Sequence, residues 1–210
     1  MKIMNKKIVF LSPHPDDIEF FCGGTLVKLI EEGNDISVFT FSHCEESVLE
    51  KFPKNILVDE LKNAMIVAGV KTYTLFDFKV RRFNENRQDI LELLVKINND
   101  INPDIVFLPS VYDTHQDHQV IYNESLRAFK NCSLISYDSP LNSQISEYNL
   151  IINLEQRHVD KKLEIIKQYK SQSHRHYSED DYLLSVVKCN GARIKKKYAE
   201  LFKIIKLIYE

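Results

Sequence analysis

The chain is short of several features that mark broad classes of protein. It has no tryptophan, five glycines and four cysteines in 210 residues. The cysteines stand far apart with no Cys-x-x-Cys pair, which argues against a disulfide framework and a cysteine-rich zinc module. No apolar run approaches the roughly 20 residues that span a bilayer, or the apolar core of a signal peptide. We therefore expect a cytoplasmic protein without stable membrane insertion.

Charge of either sign is also not in excess. The 28 Lys and Arg residues against 30 Asp and Glu residues leave a formal charge of -2, and the pI is near 6.4. This balance provides no general cationic field for phosphate backbones, so nucleic acid is not an expected partner. The length favours one domain, residues 1–210, with an ordinary hydrophobic core. Whether the chain forms a homo-oligomer stays open.

Short β-rich runs alternate with longer runs of helical period, a pattern typical of α/β folds. The predicted strands cover residues 7–12, 36–41, 72–78, 105–110, 133–137 and, at an edge, 150–152. The predicted helices cover residues 19–32, 57–68, 90–97, 119–130, 161–169 and 192–209. We expect a single-domain, Rossmann-like α/β fold with a mainly parallel sheet and helices on both faces. The last helix is amphipathic and lysine-rich, so it either packs on the sheet or, alternatively, lies on a membrane surface.

A polar cluster follows the first predicted strand. It reads Ser12-Pro-His-Pro-Asp-Asp-Ile-Glu19 and contains His14, Asp16 and Asp17. Open α/β sheets place their ligands at this edge, just after the strands. One Asp there could simply cap the following helix. A nitrogen donor beside two carboxylates instead favours a metal site.

A second cluster, Asp113-Thr-His-Gln-Asp-His118, follows the fourth predicted strand. In doubly wound sheets the first and fourth strands are usually neighbours, so their following loops face each other across a crevice. His14, Asp17 and His118 could meet there. Two histidines and one carboxylate leave an open position on Zn²⁺, as a catalytic site requires.

Two adjacent glycines, Gly23 and Gly24, interrupt the first helical pattern. Glycine weakens a helix by about 1 kcal/mol relative to alanine, so a pair calls for a reason. We expect them to allow close approach of this helix to the sheet or the crevice.

Three motifs together resemble the LmbE-like (PIG-L type) zinc-dependent N-acetylglucosaminyl deacetylases. They are His14-Pro-Asp-Asp17, Cys22-Gly-Gly-Thr25 and His115-x-Asp117-His118. Ser171-Gln172 resembles a common pair of that family, and residues 198–202 resemble its C-terminal helix. The resemblance spans most of the chain. It implies Zn²⁺ as cofactor and hydrolysis of an N-acyl group from a small-molecule amino sugar.

The resemblance also implies roles for individual residues. His14, Asp17 and His118 match the zinc ligands, and Asp16 matches the general base that takes a proton from water. His115 matches the electrophilic or acid histidine, expected to act in its protonated form. We expect Asp117 to orient the His115 ring and favour its charged form rather than bind the metal.

Some positions depart from the family pattern. Phe21 stands where glycine is common, the loop Ser42-His43-Cys44-Glu45-Glu46 replaces a Gly-Glu loop, and Leu57 replaces an arginine. These changes predict altered substrate specificity rather than loss of activity. The open alternatives are another N-acyl amine or thiol-sugar amide as substrate, and an inactive Rossmann-like protein that binds a sugar or nucleotide.

Three further groups of residues have functional alternatives. His43 and Cys44 could bind a second metal, the segment 174–176 could contact substrate, and arginines at 81, 82 and 87 could hold an anionic substituent. For each of them an ordinary structural or solvated position is the competing interpretation.

Overall fold

The computed structural model describes residues 3–143 and 145–209. In these residues the strands are β1 (Lys7–Ser12), β2 (Asp35–Thr40), β3 (Thr72–Leu75), β4 (Ile105–Pro109), β5 (Ser133–Tyr137), β6 (Leu150–Leu154) and β7 (Tyr198–Lys206). The α-helices are α1 (Asp17–Glu31), α2 (Ile56–Ala68), α3 (Arg87–Ile101), α4 (Gln116–Ala128), α5 (Gln156–Ile166) and α6 (Asp180–Ala192). The strands form one sheet in the order β3-β2-β1-β4-β5-β7-β6.

The central strands are buried on both faces. In β1, Ile8 and Phe10 pack with α1, α2 and α5, whereas the alternate residues Val9 and Leu11 pack with α3 and α4. Successive side chains of a strand point to opposite faces, so a continuous apolar run fits a sheet covered on both sides. The predicted α/β fold with helices on both faces is confirmed.

The predicted elements agree with the structure through most of the chain. The strands at 7–12 and 133–137 have the predicted bounds, and β1 to β5 run parallel to one another. The third strand is shorter than predicted and ends at Leu75, and α3 is longer. No helix among the described residues has the length and hydropathy needed to cross a membrane.

The prediction for the C-terminal segment is wrong. Residues 192–209 do not form a helix, and the resemblance of residues 198–202 to a C-terminal helix fails with it. Instead, α6 ends at Ala192 and β7 runs antiparallel between β5 and β6. β7 satisfies backbone groups of both neighbours and buries Phe202 against Phe107. Its lysines make surface contacts at the sheet edge rather than a membrane-facing stripe: Lys206 donates to the carbonyls of Phe129 and Lys130.

The glycine pair lies at a break in α1. Cys22 has non-helical backbone angles (φ -138°, ψ 18°). Beyond it, the N–H groups of Gly24 and Thr25 donate to the buried carboxylate of Glu200 on β7, at 3.1 and 2.7 Å. Lys162 on α5 donates to the same carboxylate at 2.6 Å.

A side chain at Gly24 would not fit. A Cβ atom there would lie 2.5 Å from Leu154 Cδ1 and 3.2 Å from Glu200 Oε1. The expectation that the glycines allow close packing against the sheet is confirmed.

Candidate metal centre

The two polar clusters meet at one edge of the sheet. β1 and β4 are parallel neighbours, as predicted, so the segments that leave their carboxyl ends face each other. The first segment carries His14 into the start of α1, where Asp17 is the first helical residue. The second leads into α4 and carries His118 in its first turn.

Three donor atoms from these segments form a small triangle. His14 Nδ1 lies 3.2 Å from His118 Nε2, His118 Nε2 lies 3.3 Å from Asp17 Oδ2, and His14 Nδ1 lies 3.5 Å from Asp17 Oδ2. With zinc–ligand bonds of about 2.0–2.1 Å, tetrahedral ligand atoms stand roughly 3.3 Å apart. The three side chains therefore fit one small cation as they stand.

Each imidazole is held by a carboxylate on its far side. His14 Nε2 donates to Asp117 Oδ2 at 3.0 Å, and His118 Nδ1 donates to Asp113 Oδ2 at 2.7 Å. A ring that donates from one nitrogen presents the lone pair of the other, here toward the triangle. Carboxylates in this position fix the orientation of metal-binding histidines and increase their basicity.

Asp113 is a functional residue that the sequence reasoning did not assign. Its second oxygen accepts the backbone N–H of His115 at 2.8 Å, so it also shapes the loop. The available signal was its place in the same cluster, five residues before His118.

The expected role of Asp117 beside His115 is wrong in its geometry. The Asp117 carboxylate binds His14 and accepts the backbone N–H of Arg81 at 2.6 Å. Only its own backbone N–H contacts His115, donating to Nδ1 at 3.2 Å. Asp117 thus positions His14 through its side chain and His115 through its main chain.

The His115 ring packs beside those of His14 and His118, with ring centroids 4.7 and 4.9 Å away. Because Nδ1 accepts a hydrogen bond, the ring proton of the neutral form sits on Nε2. Burial, followed by the charges of His14 and His118, lowers the pKa of His115 to about 4. The expected protonated form is therefore disfavoured, and a neutral ring that donates from Nε2 fits better. Its nitrogen also lies within 4.8 Å of those of His14 and His118, so His115 borders the same site.

The neighbouring carboxylates Asp16 and Asp17 have opposite electrostatics. Burial raises the pKa of Asp17, but His118 and His14 outweigh it and hold that pKa far below its usual range. Burial and then the charge of Asp17 raise the pKa of Asp16 well above its usual range. Two neighbouring carboxyl groups whose pKa values are shifted in opposite directions are typical of a proton acceptor beside a permanently charged group.

Asp16 is held in an uncommon backbone conformation. Its φ is 91°, and although it occupies the N-cap position of α1 its side chain makes no capping hydrogen bond. The helix-capping interpretation of this residue is therefore wrong. Strained non-glycine backbone of this kind clusters at functional sites.

A cavity of about 280 Å³ opens above these groups. Phe21, Cys44 and Leu57, the positions that depart from the family pattern, all line it. Asn142, Gln172, Arg175 and Tyr177 add polar groups to its lining; the sequence singled out Gln172 and Arg175 but not Asn142 and Tyr177.

The Ser171-Gln172 pair reaches this lining through a buried anchor. Ser171 donates its N–H and its hydroxyl to Glu60 on α2 at 2.8 and 2.5 Å. Gln172 Nε2 then donates to Ser171 Oγ at 3.0 Å. Gln172 Oε1 is buried and has no partner among the described residues, so it can accept from a ligand.

Of the remaining groups singled out in the sequence, Cys44 and Arg175 line the cavity, whereas His176, Arg82 and Arg87 do not. His176 is fully exposed and pairs with Glu179. Arg82 pairs with Glu85, and Arg87 pairs with Glu124. These contacts fit surface structure rather than an anion site in the crevice.

Residues 9–129 match the model of the family described as PIG-L: GlcNAc-PI de-N-acetylase, which is more than half of the chain. The chain belongs to this family. It is 25% identical over 175 residues to the uncharacterized deacetylase YaiS of Escherichia coli K12, covering 79% of this chain and 91% of that protein.

Two solved structures show the same fold at lower identity. The N,N'-diacetylchitobiose deacetylase of Pyrococcus horikoshii, complexed with an inhibitor, superposes with a TM-score of 0.77 at 21% identity, covering 95% of this chain and 84% of that one. GalB of Pseudomonas putida, a 4-carboxy-2-hydroxymuconate hydratase, gives 0.79 at 16% identity, covering 98% of each chain. The fold thus serves more than one reaction, and the site residues must decide between them.

Proposed function

We propose that the chain is a zinc-dependent hydrolase that removes the N-acetyl group from an amino sugar or its conjugate. The observation that carries the proposal is the triangle of His14, Asp17 and His118 beside Asp16, which lines the same cavity and makes no capping hydrogen bond. The three triangle residues would hold the metal. When bound, zinc lowers the pKa of a coordinated water toward 7 and polarises a carbonyl oxygen.

The chain's own residues supply the proton transfers. Asp16 accepts a proton as water attacks the acyl carbon, and its raised pKa brings it closer to the operating pH of a general base. His115 donates from Nε2 to the oxygen that gains negative charge. When the C–N bond breaks, the proton on Asp16 passes to the leaving amine, which balances the reaction to acetate and a free amine.

Family membership and the site support an amino-sugar substrate. The diacetylchitobiose enzyme with the same fold is named for an N-acetylated sugar. Gln172 Oε1 and the guanidinium of Arg175 on the cavity wall offer one acceptor and several donors for sugar hydroxyls. We also propose that the protein works in a reducing compartment, because its four cysteines are free thiols.

The test is amine release from a panel of N-acetylated sugars, free, nucleotide-linked and aglycone-linked, by zinc-loaded protein. Asp16→Asn should retain zinc and lose about 10²- to 10⁴-fold in turnover, the usual contribution of a general base. Asp59→Asn, an exposed carboxylate on α2, is the matched control. Full activity of Asp16→Asn would contradict the assignment of the base. Zinc-free protein that binds a nucleotide and releases no amine would favour a non-catalytic binding protein.

A further inference from the structure

A second cavity of about 190 Å³ lies beside the first. Phe20, Phe21, Leu141 and Tyr177 line both cavities and so form a shared wall between them. A ligand seated over the metal centre therefore has this second space next to it.

Most of the second cavity is apolar. Leu183, Val186 and Val187 of α6 face Phe21 of α1 and Leu201 of β7 across it. An enclosed cavity of about 150 Å³ lined only by aliphatic and aromatic side chains accommodates benzene. The second cavity is thus large enough for one aromatic ring or a short branched alkyl group.

One polar group in this lining lacks a partner. Both carboxylate oxygens of Asp138 are buried and make no hydrogen bond with any described residue. Asp138 directly follows β5, so it lies at the same edge of the sheet as the metal centre. A buried carboxylate without a donor is costly, and rotation of the Asp138 side chain toward the cavity would let a hydroxyl or amino group of a ligand satisfy it.

The basic groups of this cavity are already engaged elsewhere. Lys162 is paired with Glu200 at 2.6 Å. Arg193 donates to the hydroxyl of Tyr148 at 2.7 Å and stacks on its ring. An anionic ligand therefore meets a free carboxylate and no free cation among these groups, which argues for a neutral or donor-bearing occupant.

We propose that the second cavity binds an aryl substituent carrying a hydroxyl or amino group, attached as the aglycone of the amino-sugar substrate. The inference rests on the proposed function and specifies its substrate class. An extended N-acyl chain is the weaker occupant, because it brings apolar surface but no donor for Asp138.

The experiment compares binding of three probes by calorimetry: N-acetylglucosamine, its phenyl glycoside and its 4-hydroxyphenyl glycoside. Binding is measured in the Asp16→Asn background so that turnover does not consume the probes. Val186→Phe fills the cavity from a half-buried position on α6, and Asp138→Asn removes the charge without changing the size. Val95→Phe, on the exposed surface of α3, is the control for the added ring.

We expect the hydroxyphenyl glycoside to bind at least about tenfold more tightly than the free sugar. Val186→Phe should reduce that ratio to about one, and Asp138→Asn should abolish the preference for hydroxyphenyl over phenyl. Val95→Phe should leave both ratios unchanged. Because ratios within one variant are compared, a general loss of folded protein does not imitate the result.

Equal affinities for the glycosides and the free sugar would overturn the proposal, and so would an unchanged ratio in Val186→Phe. If N-butanoylglucosamine gains affinity instead and loses it in Val186→Phe, the cavity holds the acyl chain and the aglycone assignment is wrong. Failure of the proposed function gives a different result. The wild-type protein would then release no amine from any probe, even if the glycosides bind with the expected ratios.

Discussion

If the proposed metal centre is right, replacing Asp113 by Asn should weaken metal binding although Asp113 is not one of the three proposed ligands. Its carboxylate accepts from His118 Nδ1 at 2.7 Å, and both side chains are almost fully buried. Asn keeps the size and one acceptor oxygen but removes the charge that favours the correct ring orientation. Loss of such a partner typically costs 10- to 100-fold in metal affinity, which is about 1.4–2.8 kcal/mol.

The size of this effect should depend on pH. In the metal-free protein, burial lowers the pKa of His118, but the charge of Asp17 and the hydrogen bond with Asp113 raise it to about 10. Protons therefore compete with the metal for His118 at neutral pH, and Asp113→Asn reduces that competition as well as the affinity. The measured loss should be smaller at pH 7 than at pH 9.

Competition with a chelator of known zinc affinity, at both pH values, measures this directly. Asp59→Asn serves as the control, and urea unfolding of the metal-free proteins checks that the fold is intact. Zinc affinity equal to that of the wild type at pH 9 would refute the role assigned to Asp113.

Three further predictions concern packing, pH and metal exchange. Gly24→Ala should lower the unfolding free energy by about 1–3 kcal/mol, because the added methyl group would collide with Leu154. Gly→Ala ordinarily stabilises a helix, so a variant more stable in urea unfolding would contradict this prediction. Asp104 accepts the N–H of Lys7 at 2.8 Å, and its pKa is lowered despite burial by that bond and the neighbouring lysines. Asp104→Asn should therefore be less stable than the wild type at pH 7, with the difference shrinking as the pH falls through the lowered pKa. A difference that does not change between neutral and acid pH would count against this. Zinc uptake should release protons from His118 near neutral pH, as calorimetry in buffers of different ionisation enthalpy can show.

The central part of the fold could be predicted because each of its strands is marked by an apolar run within the strand's own sequence. Residues 7–12 form an apolar run that suits a strand buried on both faces, and β1 has the predicted bounds. The adjacency of β1 and β4 followed from the usual order of such sheets, and it brought His14, Asp17 and His118 together.

The C-terminal strand could not be predicted by the same means. Leu201, Phe202, Ile204, Ile205 and Ile208 fit helical spacing, and interleaved lysines fit the exposed face of a helix. This segment becomes a strand because it lies between β5 and β6, and its backbone forms hydrogen bonds with both of them. Both strands are more than 40 residues away in the sequence and leave no periodic signal in the segment itself.

The proximity of the three proposed ligands could be predicted, but the contacts that support them could not. Asp113, His115, Asp117 and His118 occupy one short cluster, and His14 lies in another, so residue types alone do not say which carboxylate meets which ring. The pairing depends on side-chain rotamers at the start of α4. It assigns Asp113 to His118 and Asp117 to His14.

The contact between Glu200 and the break in α1 bears on how the protein is made. The two partners are 176 residues apart in the sequence. At 5–20 residues per second, roughly 9–35 s separate the synthesis of Gly24 from that of its acceptor. Until then the N–H groups at the break lack Glu200, and β5 presents an open edge of the kind that invites pairing with other chains. The nascent protein therefore fills the position between β5 and β6 only after both of these strands have been made. Conditions that slow translation between β6 and β7 should increase its dependence on chaperones.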